Sequence, residues 1–253
     1  MKNLLTQIKI NYLRVILRNK RFLFMSIILP IVFYLLFTKV MNVGVPAHYM
    51  KTWQLNYMIS MAVYSSLISS VVTASNTLLE DREKHFTLFV KLTSGSDLRY
   101  YLGMIAVFLP LNIFAIAVLG LTAKLANGVS VSVMGGVALV ILLPLLSIPL
   151  LLIGILISMS GSSNTVNILS QIVMFAFAII GALWWPIELL PKALQTIGKL
   201  LPTYQISTLM QEIIHNNPVS TDRVLGLVIW TVVLALAITL SMRHKRLQEV
   251  QTI

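Results

Sequence analysis

Residues 80–101, EDREKHFTLFVKLTSGSDLRYY, separate two long apolar stretches and decide how the chain is arranged. The segment holds four acidic and four basic side chains, although only 11% of all residues are charged. A charged side chain at the centre of a bilayer costs about 2.5–3.5 kcal/mol on the most permissive insertion scale. The flanking apolar stretches must therefore end where this segment begins. The segment lies in water, where a soluble protein can dock on it.

The composition of the 253 residues indicates a membrane protein. The chain is 57% hydrophobic with a mean hydropathy of +0.88, and several apolar runs exceed about 18 residues. The N-terminal segment lacks the small-residue cleavage site of a secretion signal, so we expect it to be retained. There is no cysteine, which excludes disulfides and thiolate chemistry. In such a chain the net charge of +11 reports orientation rather than a nucleic-acid partner.

We predict an all-α membrane protein in which residues 1–253 form a single transmembrane domain. Residues 1–21 combine six basic side chains with an apolar stripe, which predicts an amphipathic interfacial helix against membrane lipid; a solvated basic tail is the alternative. Residues 80–101 form a loop between spans, and residues 187–223 form two short outer-side helices. Six transmembrane helices are predicted from apolar length, at 22–41, 54–79, 102–124, 132–158, 166–186 and 224–242.

The distribution of basic residues predicts the topology. If the N-terminus is inside, 13 of the 19 Lys and Arg residues lie on the cytoplasmic side. The positive-inside rule therefore places both termini and the 80–101 loop in the cytoplasm. Residues 125–187 contain no Asp, Glu, Lys or Arg, and ion-coupled transporters generally need ionisable groups within the membrane. We therefore expect the energy for any transport to come from another source.

The second predicted span carries a polar face with two possible roles. Its hydroxyls indicate either close helix packing, with bonds back to their own helix, or the wall of a translocation path or subunit interface. Gln171, the deepest strongly hydrogen-bonding side chain on a face of the fifth span, either binds a neighbouring helix or contacts a substrate at the translocation path or subunit interface. The face of the second span, at helical spacing, comprises Ser66, Ser69, Ser70, Thr73 and Asn76.

No motif supports an enzyme. The chain has no HExxH, no GxSxG and no phosphate-binding GxxxxGK[ST] sequence. The carboxylates Glu80, Asp81 and Glu83 alternate with Arg82 and Lys84, which favours a salt-bridged docking surface over a metal site. The four histidines are scattered along the chain, so we predict no metal cluster.

These features resemble the type-two (ABC-2) permeases of ABC exporters over nearly the whole chain. The resemblance rests on the basic N-terminal segment before six spans, on the loop Glu80–Ser94, and on the proline-punctuated segment Pro186–Tyr204 before the last span. The loop in that family usually has a glycine where this chain has Phe86, and a proline near the position of Gly95.

The resemblance implies a half-transporter rather than an enzyme. Such a chain pairs with a second permease subunit, in a homodimer or a heterodimer, and docks a separate cytoplasmic ATPase that binds ATP and Mg²⁺. The permease itself binds no cofactor. The family's interfacial helix and a cytoplasmic coupling helix carry the ATPase contacts. Carried over to this sequence, the coupling residues are Glu80, Asp81, Arg82, Glu83, Lys84, Thr87 and Lys91.

The substrate implied by the resemblance is an amphiphilic drug, antimicrobial peptide or lipid, exported across a bacterial plasma membrane. The short loops, which leave no room for a separate sugar-binding domain, favour these substrates. Two alternatives stay open at this point: a polysaccharide or glycolipid export permease, and a membrane scaffold or sensor that transports nothing. An integral-membrane lipid enzyme lacks the necessary catalytic residues.

Overall fold

A computed structural model describes residues 23–42, 45–84 and 97–251. These residues form helices and turns without strands, which confirms the predicted all-α class. The interfacial helix predicted at 1–21 lies outside the described residues. The same holds for residues 85–96 of the predicted coupling loop, which include Thr87 and Lys91.

The described part of the chain folds into eight main helices and one short 3-10 turn at Ile187–Leu189. In the first helix, π-helical turns flank a central α-helical piece. The helices are α1 (Leu23–Ile28, Leu29–Leu35 and Leu36–Val40), α2 (Met50–Glu83), α3 (Asp97–Asn127), α4 (Val133–Ser158), α5 (Ser163–Ile180), α6 (Lys192–Leu200), α7 (Pro202–Ile214) and α8 (Thr221–Gln251).

Five of the described helices are long and apolar enough to cross a membrane, namely α2, α3, α4, α5 and α8. The first predicted span corresponds to α1, whose described part is a shorter apolar helix, Phe24–Val40. Length and composition of the described residues therefore support five of the six predicted spans directly.

Two helices differ in detail from the apolar pattern. The predicted fifth span runs to residue 186, but α5 ends at Ile180 because Ala182 adopts a left-handed φ of 56°. The amide of Leu183 then donates to the Ala178 carbonyl at 3.0 Å, a six-to-one bond that closes a helix end. In α4 the helix is interrupted at Ser147, between Pro144 and Pro149, because proline lacks the backbone N–H that a continuous helix requires.

Helix α2 is the axis of the bundle, since it packs against α1, α3, α4, α5 and α7. The approach of α4 is the closest. A Cβ atom at Gly154 of α4 would overlap the Ser70 carbonyl oxygen of α2, so only glycine fits there. Small residues at such positions let two helix backbones touch, which explains why the small side chains of α2 lie inward.

The long helices run between the two ends of the bundle. We call the end with the α2–α3 and α4–α5 connections the loop end, and the opposite one the far end. At the far end, α6 and α7 form a corner that is tied to α8: Trp230 Nε1 donates to the Leu200 carbonyl at 2.9 Å. Gln205 of α7 also packs directly on Gly226 of α8.

Candidate functional site

At the loop end, the last turn of α2 is anchored to the first turn of α3. Asp81 is only 2% exposed, and its Oδ2 accepts a hydrogen bond of 2.7 Å from the buried Tyr100 hydroxyl. Hydrogen bonds to a charged acceptor are about twice as strong as neutral ones. Asp81 was predicted on an open docking surface, whereas the structure places its carboxylate inside the protein.

A second anchor joins α2 to the α4–α5 turn. The Arg82 guanidinium donates to the carbonyl of Gly161, whose φ of 113° lies in the left-handed region that favours glycine. The remaining described side chains of the predicted coupling set face solvent: Glu80 and Lys84 form an i, i+4 ion pair, and Glu83 is exposed. The five described members of the set therefore divide into two anchoring residues and three exposed charges.

The polar face of α2 is buried within the protein. Ser66, Ser69 and Ser70 are at most 1% exposed, and their hydroxyls have no hydrogen-bond partner among the described residues. Thr73 is 8% exposed, and Asn76 Nδ2 bonds back to the Val72 carbonyl at 2.8 Å. Ser69 and Ser70 lie in a π-helical segment, Ile68–Thr73, and Ser66 lies in the α-helical turn before it. This arrangement is that of closely packed helices; lining a translocation path stays a prediction for these residues.

Gln171 lies on α5, which buries a single stripe against α2. The stripe repeats every four residues, while Gln171 beside it is half-buried and Asn167 is exposed. Most of the remaining α5 surface is apolar and uncovered, including Ile172 and Phe175. Gln171 makes no hydrogen bond to the hydroxyls of Ser66, Ser69 and Ser70 of α2. The buried stripe comprises Val166, Ser170, Met174 and Ala178.

Two polar clusters at the far end were missed by the sequence analysis. In the first, Asn127 Nδ2 donates to the Tyr34 hydroxyl and to Thr38 Oγ1, both at 2.9 Å, and Lys51 Nζ donates to the Asn127 carbonyl at 2.5 Å. This cluster joins the ends of α1 and α3 to the beginning of α2. An asparagine that closes a long apolar helix was the available signal.

The second cluster joins α2, α7 and α8. His215 Nε2 lies 2.7 Å from Asn56 Oδ1, and Glu212 forms an ion pair with Arg223. The other Glu212 oxygen accepts from the Ser220 amide at 3.0 Å. The opposite charges on either side of a turn were visible in the sequence, but nothing there showed that they meet.

Aromatic rings fill the space between α1, α2 and the end of α5. The Trp184 ring centre lies 5.4 Å from that of Phe33, 5.6 Å from Tyr64 and 6.0 Å from Phe175. The Tyr57 hydroxyl donates to the Trp184 carbonyl at 3.2 Å. The Trp184 ring thus packs three helices together.

A helical bundle with five membrane-crossing helices, uncharged along residues 125–187 and built around a polar central helix, is a multi-pass membrane protein. The family model described as "ABC-2 family transporter protein" matches residues 39–241. The chain therefore belongs to the ABC-2 transporter family, which confirms the resemblance seen in the sequence and makes it a transport permease subunit.

A similar protein supports the assignment. The chain is 28% identical over 247 residues to "Putative transport permease YvfS" of Bacillus subtilis (strain 168), a match that covers 98% of this chain and 99% of the relative. No solved structure matches the chain.

Proposed function

We propose that this chain is the membrane half of an ATP-driven exporter that moves an amphiphilic drug, antimicrobial peptide or lipid outward across a bacterial plasma membrane. Both termini and the loop end face the cytoplasm in this proposal. A separate ATPase binds ATP and Mg²⁺ and docks on the loop end. The observation that carries the proposal is the last turn of α2, where exposed charges stand directly beside the buried contact of Asp81 with α3 and the surface contact of Arg82 with the α4–α5 turn.

The anchors give the loop end a way to transmit force. A push on the exposed carboxylate of Glu83 acts on the C-terminal end of α2. From there the hydrogen bond of Asp81 with Tyr100 reaches α3, and the Arg82 contact reaches the α4–α5 turn. Because α2 packs against five other helices, its displacement changes the whole bundle. Closure of the ATPases would thus shift the positions of the helices at the far end.

The second permease, a copy or a relative, is proposed to cover the exposed face of α5. Asn167 Nδ2 donates to the Ser163 carbonyl of its own helix at 3.0 Å, but the rest of its exposed amide and that of Gln171 are costly in a lipid environment unless they find hydrogen-bond partners. Another permease supplies such partners, whereas lipid tails do not. The remaining apolar surface of α5 and α8 contacts membrane lipid.

The test is affinity purification of the chain from its native membrane, with and without Glu83→Lys. We expect a nucleotide-hydrolysing subunit to co-purify with the unmodified chain, and its association or ATPase activity to fall with the reversed charge. Reversal replaces an attractive contact by a repulsive one at an exposed position.

Glu188→Lys is the matched control, because Glu188 is an exposed glutamate at the far end. It should leave the ATPase association unchanged. Recovery of the permease without any ATPase under mild detergents would contradict the proposal and favour a scaffold or sensor role. An equal loss in both variants would show that the effect is not specific to the loop end.

A further inference from the structure

A cavity of about 530 Å³ opens at the far end, between the first turns of α2 and the C-terminal half of α7. Its volume lies within the range of small-molecule sites, which are mostly apolar. This cavity is an open groove, and every residue that lines it is polar or charged in a chain that is 57% hydrophobic. The lining residues are Thr52, Asn56, Thr208, Gln211, Glu212, His215, Asn217 and Arg223.

The charges of the cavity are already paired. Glu212 contacts Arg223 through one carboxylate oxygen and the Ser220 amide through the other. The acid and the base cancel, so an anionic or cationic ligand finds no uncompensated partner charge there. The walls are also fixed in place, since the contact of His215 with Asn56 joins α7 to α2.

What the cavity offers a ligand is therefore neutral hydrogen bonding. Asn56 uses Oδ1 in its contact with His215, which leaves its amide NH₂ outside that bond. Gln211 uses Nε2 toward Ser207, which leaves its carbonyl oxygen outside that bond. The Thr52 hydroxyl adds a group that both donates and accepts. Such alternating neutral donors and acceptors match a ligand with several hydroxyl groups, because each hydroxyl also donates and accepts.

The cavity also lies beside apolar surface. Immediately after Arg223, the exposed side chains of Val224 and Leu225 begin the uncovered face of α8, with Val228 one turn further on. A molecule whose hydroxylated headgroup occupies the cavity can therefore lay an alkyl chain along α8. From these observations we infer that the cavity binds the neutral, multiply hydroxylated headgroup of an amphiphile, of which a glycosyl lipid is the simplest example.

This inference rests on the proposed export of amphiphiles, and it selects as the amphiphile a glycolipid, which the family resemblance left open as an alternative. It is tested by binding alone, without an ATPase, so that its failure is distinguishable from failure of the export proposal. The full chain is placed in phosphatidylcholine nanodiscs that contain diglucosyl diacylglycerol or phosphatidylglycerol. Native mass spectrometry then counts the lipids that remain bound.

We expect the diglucosyl lipid to be retained in preference to both phospholipids. Thr52→Val and Gln211→Met each remove a hydrogen-bonding group with little change in size, and each should reduce retention at least about threefold. Gln195→Met is the matched control, since Gln195 is a half-buried glutamine of α6 outside the cavity. Thermal unfolding of each variant checks that the fold is intact.

Equal retention of the diglucosyl lipid by the chain and by folded Thr52→Val and Gln211→Met would overturn the inference, as would a preference for phosphatidylglycerol. Competition with maltose identifies the source of the headgroup. Displacement of the bound lipid by maltose would show that a soluble saccharide suffices, and binding that resists maltose would show that the alkyl chain contributes.

Discussion

Helices α2 and α5 are both apolar and long enough to cross a membrane, yet they occupy opposite environments. In their most apolar 18-residue windows, 94% of α2 is buried inside the protein and only 22% of α5. The more hydrophilic of the two is the buried one, with a mean window hydropathy of 1.4 against 1.6. Small and polar side chains of α2 thus lie inside the bundle, and apolar side chains of α5 can remain outside it because lipid accommodates them.

The comparison assigns different tasks to the two helices. Because α2 contacts five other helices, changes in its packing should unfold the protein. Most of the α5 surface is exposed and available to lipid or to another protein, so changes there should affect assembly rather than folding. The four predictions below test this division, and they run from the largest expected effect on stability to the smallest.

The largest effect is expected where α2 and α4 touch. Gly154→Val places a side chain on the Ser70 carbonyl and near the Val71 Cα, and backbone atoms cannot move aside locally. We expect a loss of at least about 3 kcal/mol in the free energy of unfolding, or no folded protein. Denaturation of the purified chain in mixed micelles with increasing dodecyl sulfate measures this.

Gly120→Val in α3 provides the matched control. A Cβ at Gly120 has no neighbour within 4 Å, so the same substitution should be tolerated. If both variants were equally stable, α2 and α4 would not be in backbone contact, and α2 would lose its place as the axis.

The next effect concerns adjacent residues of α5. Met174 belongs to the stripe that packs on α2 and is 6% exposed, whereas Phe175 is 46% exposed. Met174→Ala should cost about 2 kcal/mol through the cavity it leaves. Phe175→Ala removes a larger side chain but should cost only about 1 kcal/mol, since half of the ring is exposed and the main loss is its edge contact with Trp184. The same unfolding assay compares them, and a larger loss for Phe175→Ala would reverse the buried and exposed faces of α5.

Much of this division was accessible from sequence. The apolar lengths predicted helices at the positions of α2, α3, α4 and α8, although α8 continues to Gln251 rather than ending at residue 242, and the spacing of the α2 serines showed one polar face. The sequence pattern could not show which helices cover the polar face of α2. Packing partners far apart in the chain decide that, as Gly154 and Ser70 do.

The loop end shows the same limit in another form. The alternating charges at residues 80–84 correctly marked the end of a helix, but they gave Asp81 and Glu83 equal status. The structure separates the two, because Asp81 turns toward Tyr100 while Glu83 remains exposed. A tyrosine 19 positions away carries no signal in a single sequence that it caps this carboxylate.

A smaller effect is expected at this anchor, which tests whether the packing role of α2 extends to the loop end. Tyr100→Phe removes the hydroxyl that donates to Asp81 and should cost about 1.5 kcal/mol, since the acceptor is charged. A double-mutant cycle with Asp81→Asn isolates the pair in the same unfolding assay. Additive losses in the two single variants would show that the hydroxyl and the carboxylate do not interact.

The smallest effect on stability, and the most specific effect on assembly, is expected on the open face of α5. Asn167→Leu combined with Gln171→Leu removes two amides that reach little of the protein's own interior, so the free energy of unfolding should change by at most about 0.5 kcal/mol. If a second permease binds these amides, its co-purification should fall, because leucine cannot replace their hydrogen bonds.

Thr239→Leu on the exposed face of α8 is the control and should leave association intact. Unchanged association in the α5 variant would mean that the amides face lipid headgroups and that the second permease does not bind them. If the α5 variant alone lost association with the second permease, the open face of α5 would be the surface that the second permease binds.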